Sequence, residues 1–278
     1  MNAPLTAIDS HQHFWRLDRG DYAWLTPAHA PIYRDYLPEH LAPQLAQAGI
    51  GATILVQAAA TVDETRFLLG LAREQPFIAG VVGWVDFESE DVAETIATLA
   101  ADPKLVGLRP MIQDIPDTEW MLEERLAPAF EATIDHGLVF DALVLPKHLP
   151  ALLELAARYP DLTMVLDHGA KPPIASGEIA SWKQGITELA RSSPIVCKLS
   201  GLVTEAGSAD AATLAASVDH LLQNFGPARM MWGSDWPVCE LVCSYEQWRG
   251  ATHTLLGKLK AAERDQIYSG TARAIYGI

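Results

Sequence analysis

The stretch "AIDSHQHFW", residues 7–15, is a short apolar run that ends in two histidines two positions apart. A doubly wound sheet that binds dinucleotides carries a glycine-rich phosphate turn at this place, directly after its first strand. Here "SHQHFW" stands there instead. Starting from residue 6 ("TAIDSHQH", 6–13), the chain repeats the same kind of run at "ATILVQA" (52–58), "FIAGVVGWVD" (77–86), "LVGLRPM" (105–111), "GLVFDALV" (137–144), "TMVLDHG" (163–169), "IVCKLSG" (195–201) and "MMWGSDW" (230–236). Between them lie segments with apolar residues at helical spacing, such as 37–49, 63–75, 90–101 and 146–160. Strands buried on both faces read as continuous apolar runs, and parallel strands need crossovers of about a dozen residues or more. Eight such β-α units predict an α/β protein, a (β/α)8 TIM barrel, with residues 1–278 forming one domain.

Composition narrows the function classes. An apolar fraction of 49% supplies a large core, and a charged fraction of 20% argues against disorder. The formal net charge of −15 sets up a field that repels phosphate backbones and anionic lipid headgroups. Nucleic acid and membrane partners are therefore not expected. The opening "MNAPLTAIDS" lacks a basic segment followed by an apolar one, so no signal peptide is read there. The longest uncharged run, 44–62, is broken by Gln47, Gly49, Gly51 and Gln57, which suits a helix end followed by a strand. A soluble, cytoplasmic protein, monomer or homodimer, is expected. Cys197, Cys239 and Cys243 form no C-x-x-C pair and read as packed, reduced thiols.

Residues 14–36, rich in aromatics and without a helical period, form an unusually long connection after strand one. Such a loop reads either as a lid or binding loop, or as a surface wrap packed by Trp15 and Trp24.

Barrel strands enclose a packed core, so polar groups near strand exits mark the face where active sites open. Every run carries one: His11 and His13, Gln57, Asp86, Arg109, Asp141, Asp167 and His168, Lys198 and Ser200, Ser234 and Asp235. Period-2 alternation puts His11 and His13 on one face and Gln12 on the other. Three imidazoles and one carboxylate at one mouth can bind a divalent metal, or can polarise a carbonyl while the carboxylate takes a proton from water.

The order H-x-H after strand one, His168 after strand six and Asp235 after strand eight resembles the amidohydrolase superfamily. More narrowly, "DSHQHFW", "YAWL", "LDHGAKP", "KLSGL" and "WGSDWPV" resemble its metal-dependent-hydrolase-like branch, which contains sugar lactonases such as L-fuconolactonase and L-rhamnonolactonase and the related pyrone-dicarboxylate lactonase. The resemblance runs from about Ile8 to Tyr276 and implies a distorted (β/α)8 barrel. Binuclear members of the superfamily carry a bridging Lys or Glu on strand four and a further His on strand five, where this chain has Arg109 and Asp141. His136 lies at the wrong end of strand five to serve. A two-metal site is therefore not expected; a single divalent ion, zinc foremost, on His11, His13, His168 and Asp235 is the alternative to no required cofactor at all.

What the resemblance implies is hydrolysis of an aldonolactone. Asp235 is then the general base, able to return its proton to the leaving alkoxide, and His11, His13 and His168 supply donors to the carbonyl. Arg109, Trp24, Gln57, Trp84, Asp141, Lys198 and Trp236 are the substrate-binding candidates, with Lys171 of the second rank. Indole faces cover sugar C–H surface while polar edges read hydroxyls. Arg109 is the one arginine at a strand exit, which favours a neutral sugar lactone over a dicarboxylate. The rivals are a metal-dependent decarboxylase or amide hydrolase on the same scaffold, and a non-catalytic sugar-binding barrel.

Overall fold

A computed structural model describes residues 6–278. Its eight strands are β1 (Ala7–Gln12), β2 (Ile50–Val56), β3 (Ile78–Gly83), β4 (Leu105–Leu108), β5 (Val139–Ala142), β6 (Met164–Leu166), β7 (Val196–Leu199) and β8 (Met230–Trp232). They pair in sequence order and all in parallel. The ends meet beyond the strands proper: the His13 N–H donates to the Trp236 carbonyl at 2.7 Å and the Asp235 N–H to the His11 carbonyl at 2.8 Å. The expected (β/α)8 barrel is what forms.

The helices are α1 (Pro38–Ala48), α2 (Val62–Glu74), α3 (Val92–Ala100), α4 (Ala127–Asp135), α5 (Leu149–Arg158), α6 (Ala180–Ser192), α7 (Leu202–Ala206), α8 (Ala211–Phe225), α9 (Tyr245–Leu255), α10 (Ala261–Asp265) and α11 (Thr271–Tyr276). Starts are set by local chemistry. Thr61, Asp210 and Ser244 accept from the backbone N–H of Glu64, Thr213 and Gln247, satisfying donors that the first turn leaves open.

Two apolar clusters result. The larger lies between sheet and helices; the smaller joins Ile8, Ile54, Val56, Val82, Val139, Val165, Val196 and Met231 with Ala272 and Tyr276. The second is the barrel interior, stoppered from below by α11. Above this plug the inward positions turn polar.

β1 contains a departure from simple alternation. Ile8 faces the interior, while Asp9 reaches Tyr245 of α9 outside it, so strict alternation would send Ser10 and Gln12 inward and the histidines out. Instead Asp9 pairs with Thr53 and Gln12 with Leu55, three steps on β1 against two on β2. This β-bulge inserts one residue and turns His11 and His13 into the mouth.

The long connection is an ordered wrap. Trp15 and Tyr36 exchange backbone hydrogen bonds at 2.9 and 3.0 Å, closing its base. Trp15 is buried edge-on against Trp24, whose Nε1 donates to the Ala58 carbonyl at 2.7 Å. No helix among the described residues is long and apolar enough to cross a membrane. The reading on a signal peptide falls partly on residues 1–5, outside the described residues.

Candidate active site

His11, His13, His168 and Asp235, drawn from three distant parts of the chain, meet at the C-terminal mouth of the barrel. The His11 ring lies 4.9 Å from that of His13 and 4.5 Å from that of His168, centre to centre. Asp235 Oδ1 is 3.2 Å from His13 Nε2, 3.7 Å from His11 Nε2 and 4.0 Å from His168 Nε2. Above them opens a cavity of about 220 Å³, walled by His13, His168, Arg109, Lys171 and Asp235 on its polar side and by Trp24, Met111, Leu143 and Val238 on its apolar side. His11 is fully buried beneath.

The backbone is bent to bring these groups in. His168 (φ 53°), Ala170 (59°), Lys171 (50°) and Asp235 (57°) all lie in the left-handed region, where a Cβ costs about 1–2 kcal/mol per residue. Neighbouring glycines make room. A Cβ on Gly201 would stand 2.6 Å from His168 Nδ1, and one on Gly233 would stand 2.6 Å from the His11 Cβ.

Hydrogen bonds constrain each ring. His13 Nδ1 donates to the Val56 carbonyl at 2.8 Å, which turns its Nε2 toward Asp235 Oδ1 at 3.2 Å. His168 Nδ1 meets Ser200 Oγ at 2.8 Å, leaving Nε2 toward the cavity. His11 lies between cations: Lys198 Nζ is 3.3 Å from Nδ1 and Arg109 Nη1 is 3.3 Å from Nε2.

A buried ionic layer supports the site. Lys198 contacts Asp141 and lies 3.2 Å from Asp167 Oδ1, while Arg109 Nη1 lies 3.3 Å from Asp167 Oδ2. The Tyr276 hydroxyl rises from α11 to within 2.9 Å of both Asp141 oxygens. Burial would raise Asp167, but Lys198, His11 and Arg109 hold it well below the usual carboxylate range. Burial carries Asp141 up to about 6 against the pull of Lys198. Burial likewise opposes ionisation of Asp235, yet His168, His13 and His11 draw it below its ordinary value. Burial lowers His11 well below an ordinary imidazole and His168 to about 4. Near neutral pH the layer therefore holds the carboxylates of Asp141, Asp167 and Asp235 against the cations of Lys198 and Arg109.

The spacing of the donor atoms bears on metal binding. Nitrogens of His11 and His13 and a carboxylate oxygen of Asp235 lie within 4.8 Å of one another, as do ligand atoms of His11, Asp167 and His168. Two imidazoles and a carboxylate fit a single divalent ion. The ammonium of Lys198 already fills the space among Asp141, Asp167 and His11, against a second ion.

The other sequence candidates divide. Arg109 and Trp24 line the cavity. Gln57 is buried, donating from Nε2 to the Arg109 carbonyl at 2.7 Å while its own carbonyl accepts from Arg109 Nη2. Asp141 and Lys198 belong to the layer beneath. Trp236 is fully buried behind the site, its Nε1 donating to Glu240 at 2.7 Å and its ring packed on Phe14 and Tyr36. Trp84 lies on a neighbouring cavity. Asp9 went unnoticed: it accepts from the backbone of His11 (3.2 Å) and Ser234 (2.8 Å) and from the Tyr245 hydroxyl (3.1 Å), locking β1 to the β8 exit, and burial raises it to about 6. Its signal was a carboxylate inside an apolar run.

A family model described as amidohydrolase matches residues 8–278. An L-fucono-1,5-lactonase of Burkholderia ambifaria is 44% identical over 276 residues, covering 98% of this chain and 95% of that protein. An L-fucono-1,5-lactonase of Burkholderia multivorans is 39% identical over 284 residues, covering 98% and 96%. The crystal structure of an amidohydrolase from Burkholderia multivorans with bound zinc matches with a TM-score of 0.92 at 39% identity, covering 98% of this chain and 99% of that one.

Proposed function

The chain belongs to the amidohydrolase family, and we propose that it hydrolyses a sugar lactone, L-fucono-1,5-lactone or a close aldonolactone, to the sugar acid. The observation that carries this is the convergence of ionised Asp235 and three imidazoles on one small cavity, in a chain 44% identical to an L-fucono-1,5-lactonase.

Asp235, held as the carboxylate, accepts a proton from the attacking water as its oxygen bonds to the lactone carbon. Ser200 donates to His168 Nδ1 in this reading, which places the ring proton on Nε2. Neutral His168 thus presents an N–H to the developing oxyanion, and Arg109 adds a fixed positive donor on the same wall. When the ring C–O bond breaks, Asp235 returns its proton to the leaving alkoxide. Lys171 and Trp24 flank the substrate. A zinc ion, when bound, would be held by His11, His13 and Asp235 and would supply Lewis acidity toward the carbonyl. The same reading takes the chain as one catalytic domain working in the cytoplasm on a small neutral molecule, without nucleic acid or membrane.

The test is a panel of aldonolactones followed by acid release with a pH indicator, run on the parent and on Asp235→Asn. The parent is expected to open L-fucono-1,5-lactone. The variant binds the sugar acid at least as tightly as the parent, having lost the Asp235 charge, and loses turnover by about 10²- to 10⁴-fold. Lactone hydrolysis at the parental rate in Asp235→Asn would remove the assignment.

A further inference from the structure

We propose that the substrate site extends into a second sugar-binding cavity and that the enzyme also opens lactones bearing a neutral glycosyl substituent; this rests on the lactonase reading above. The catalytic cavity, about 220 Å³, falls short of the about 300–1,000 Å³ usual for small-molecule sites and suits a single sugar ring. Beside it lies a larger cavity of about 450 Å³, and Trp24, Ala58, Met111 and Asp114 wall both. The substrate ring and its substituent would meet across this shared wall.

The chemistry of the second cavity points to its ligand. Half-buried Trp24, Trp84, Met111 and Ile115 give it an apolar, aromatic floor. The Trp24 Nε1 proton is already used by the Ala58 carbonyl, so that indole offers its ring surface. Asp86 and Asp114 stand exposed at the rim. Asp86 Oδ1 accepts from the Glu88 backbone, leaving Oδ2 as an acceptor. Indole faces beneath and carboxylate acceptors above match a pyranose, whose C–H face is apolar and whose hydroxyls donate. The same carboxylates repel an anionic substituent.

Ala60 supplies the test. It is exposed, precedes the Thr61 cap of α2, and faces the second cavity but not the catalytic one. L-Fucono-1,5-lactones carrying glucose at O2, O3 or O4 are compared with the unsubstituted lactone and with the matching glucuronosyl compounds. At least one glucosyl isomer is expected to reach a kcat/KM within about ten-fold of the parent lactone, with its glucuronosyl counterpart at least about ten-fold worse. Ala60→Trp, which fills the second cavity, should cut the glucosyl substrate about ten-fold or more and leave the unsubstituted lactone within about two-fold. The proposal is overturned if every glucosyl isomer is turned over more than about ten-fold more slowly than the unsubstituted lactone, if its glucuronosyl counterpart is turned over as well or better, or if Ala60→Trp depresses both substrates equally. Failure on the unsubstituted lactone as well would remove the lactonase reading and this inference with it.

Discussion

Gly201→Ala displaces His168 without replacing its ring. At φ +67° a Cβ would meet His168 Nδ1 at 2.6 Å, Cγ at 2.7 Å and Cβ at 3.1 Å. To regain ordinary contact at 3.4 Å the near edge of the ring must retreat by about 0.8 Å from 2.6 Å, and the His168–Ser200 hydrogen bond of 2.8 Å is lost. A misplacement on the order of 1 Å in a catalytic group costs about 10²-fold in rate. Stability falls too, by about 1–2 kcal/mol for a left-handed alanine and about 1–3 kcal/mol for overpacking, or roughly 2–5 kcal/mol together. At about 2–4 °C for each kcal/mol, Tm should drop by roughly 4–20 °C. The assay is kcat/KM on L-fucono-1,5-lactone well below Tm, with Ser200→Ala as a control that removes the hydrogen bond but not the space. The control is expected to lose only about ten-fold, the worth of one hydrogen bond. If Gly201→Ala keeps kcat/KM within about three-fold of the parent, His168 does not act on the substrate from the position assigned to it.

Three further outcomes follow from the buried charges. Glu64 of α2 accepts from the Ala58 and Ala59 N–H groups at 3.0 and 2.7 Å, and burial raises it from 4.5 to about 8. Its contribution to stability is complete below pH 4.5 and is lost as pH rises through 8, so between about pH 7 and 8, where the histidines of the unfolded chain are mostly neutral too, stability should fall by about 1 kcal/mol. Urea denaturation across that range should show the slope in the parent and its loss in Glu64→Gln; an equal slope in both would show that another group titrates. Lys198→Met leaves Asp141 and Asp167 buried without their shared cation and should cost about 3–5 kcal/mol, so a Tm within about 2 °C of the parent contradicts the ionic layer. Protein stripped by chelator should keep at least about a tenth of its turnover, because Arg109 and His168 remain as donors; loss below about a hundredth, restored by zinc, would make the ion essential.

The sequence carried the barrel because most of its strands are continuous apolar runs set a helix-length apart. It pointed to the mouth because a charged or imidazole group at the exit of a core strand has few structural reasons to be there. What stayed hidden depends on backbone phase and distant packing. Simple alternation assigned His11 and His13 a common face, but the bulge between Asp9 and Gln12 decides that this face is the inner one. No residue type announces it. The left-handed turns at His168 and Asp235 are equally silent, since neither is glycine. Tyr276 gave no hint of a role because it sits at the far end of the chain and reaches Asp141 only through the way α11 stoppers the barrel. Trp236 shows the converse: an aromatic beside a strand exit can turn either way, and this one turns toward Phe14 and Tyr36.

The charge arrangement also bears on how a turnover ends. On the proposed reading a neutral lactone enters and a carboxylic acid is made, which ionises near neutral pH. While Asp235 holds the proton taken from water it carries no charge, and the wall of the cavity, with Arg109 and Lys171, favours the anionic intermediate. Returning that proton to the alkoxide restores the Asp235 carboxylate next to the new product carboxylate. Two like charges about 4 Å apart at an effective dielectric constant near 20 repel by about 4 kcal/mol. The transfer that completes the bond cleavage therefore also turns the pocket against its product, and the net charge of −15 on the chain acts in the same direction once the acid leaves the mouth.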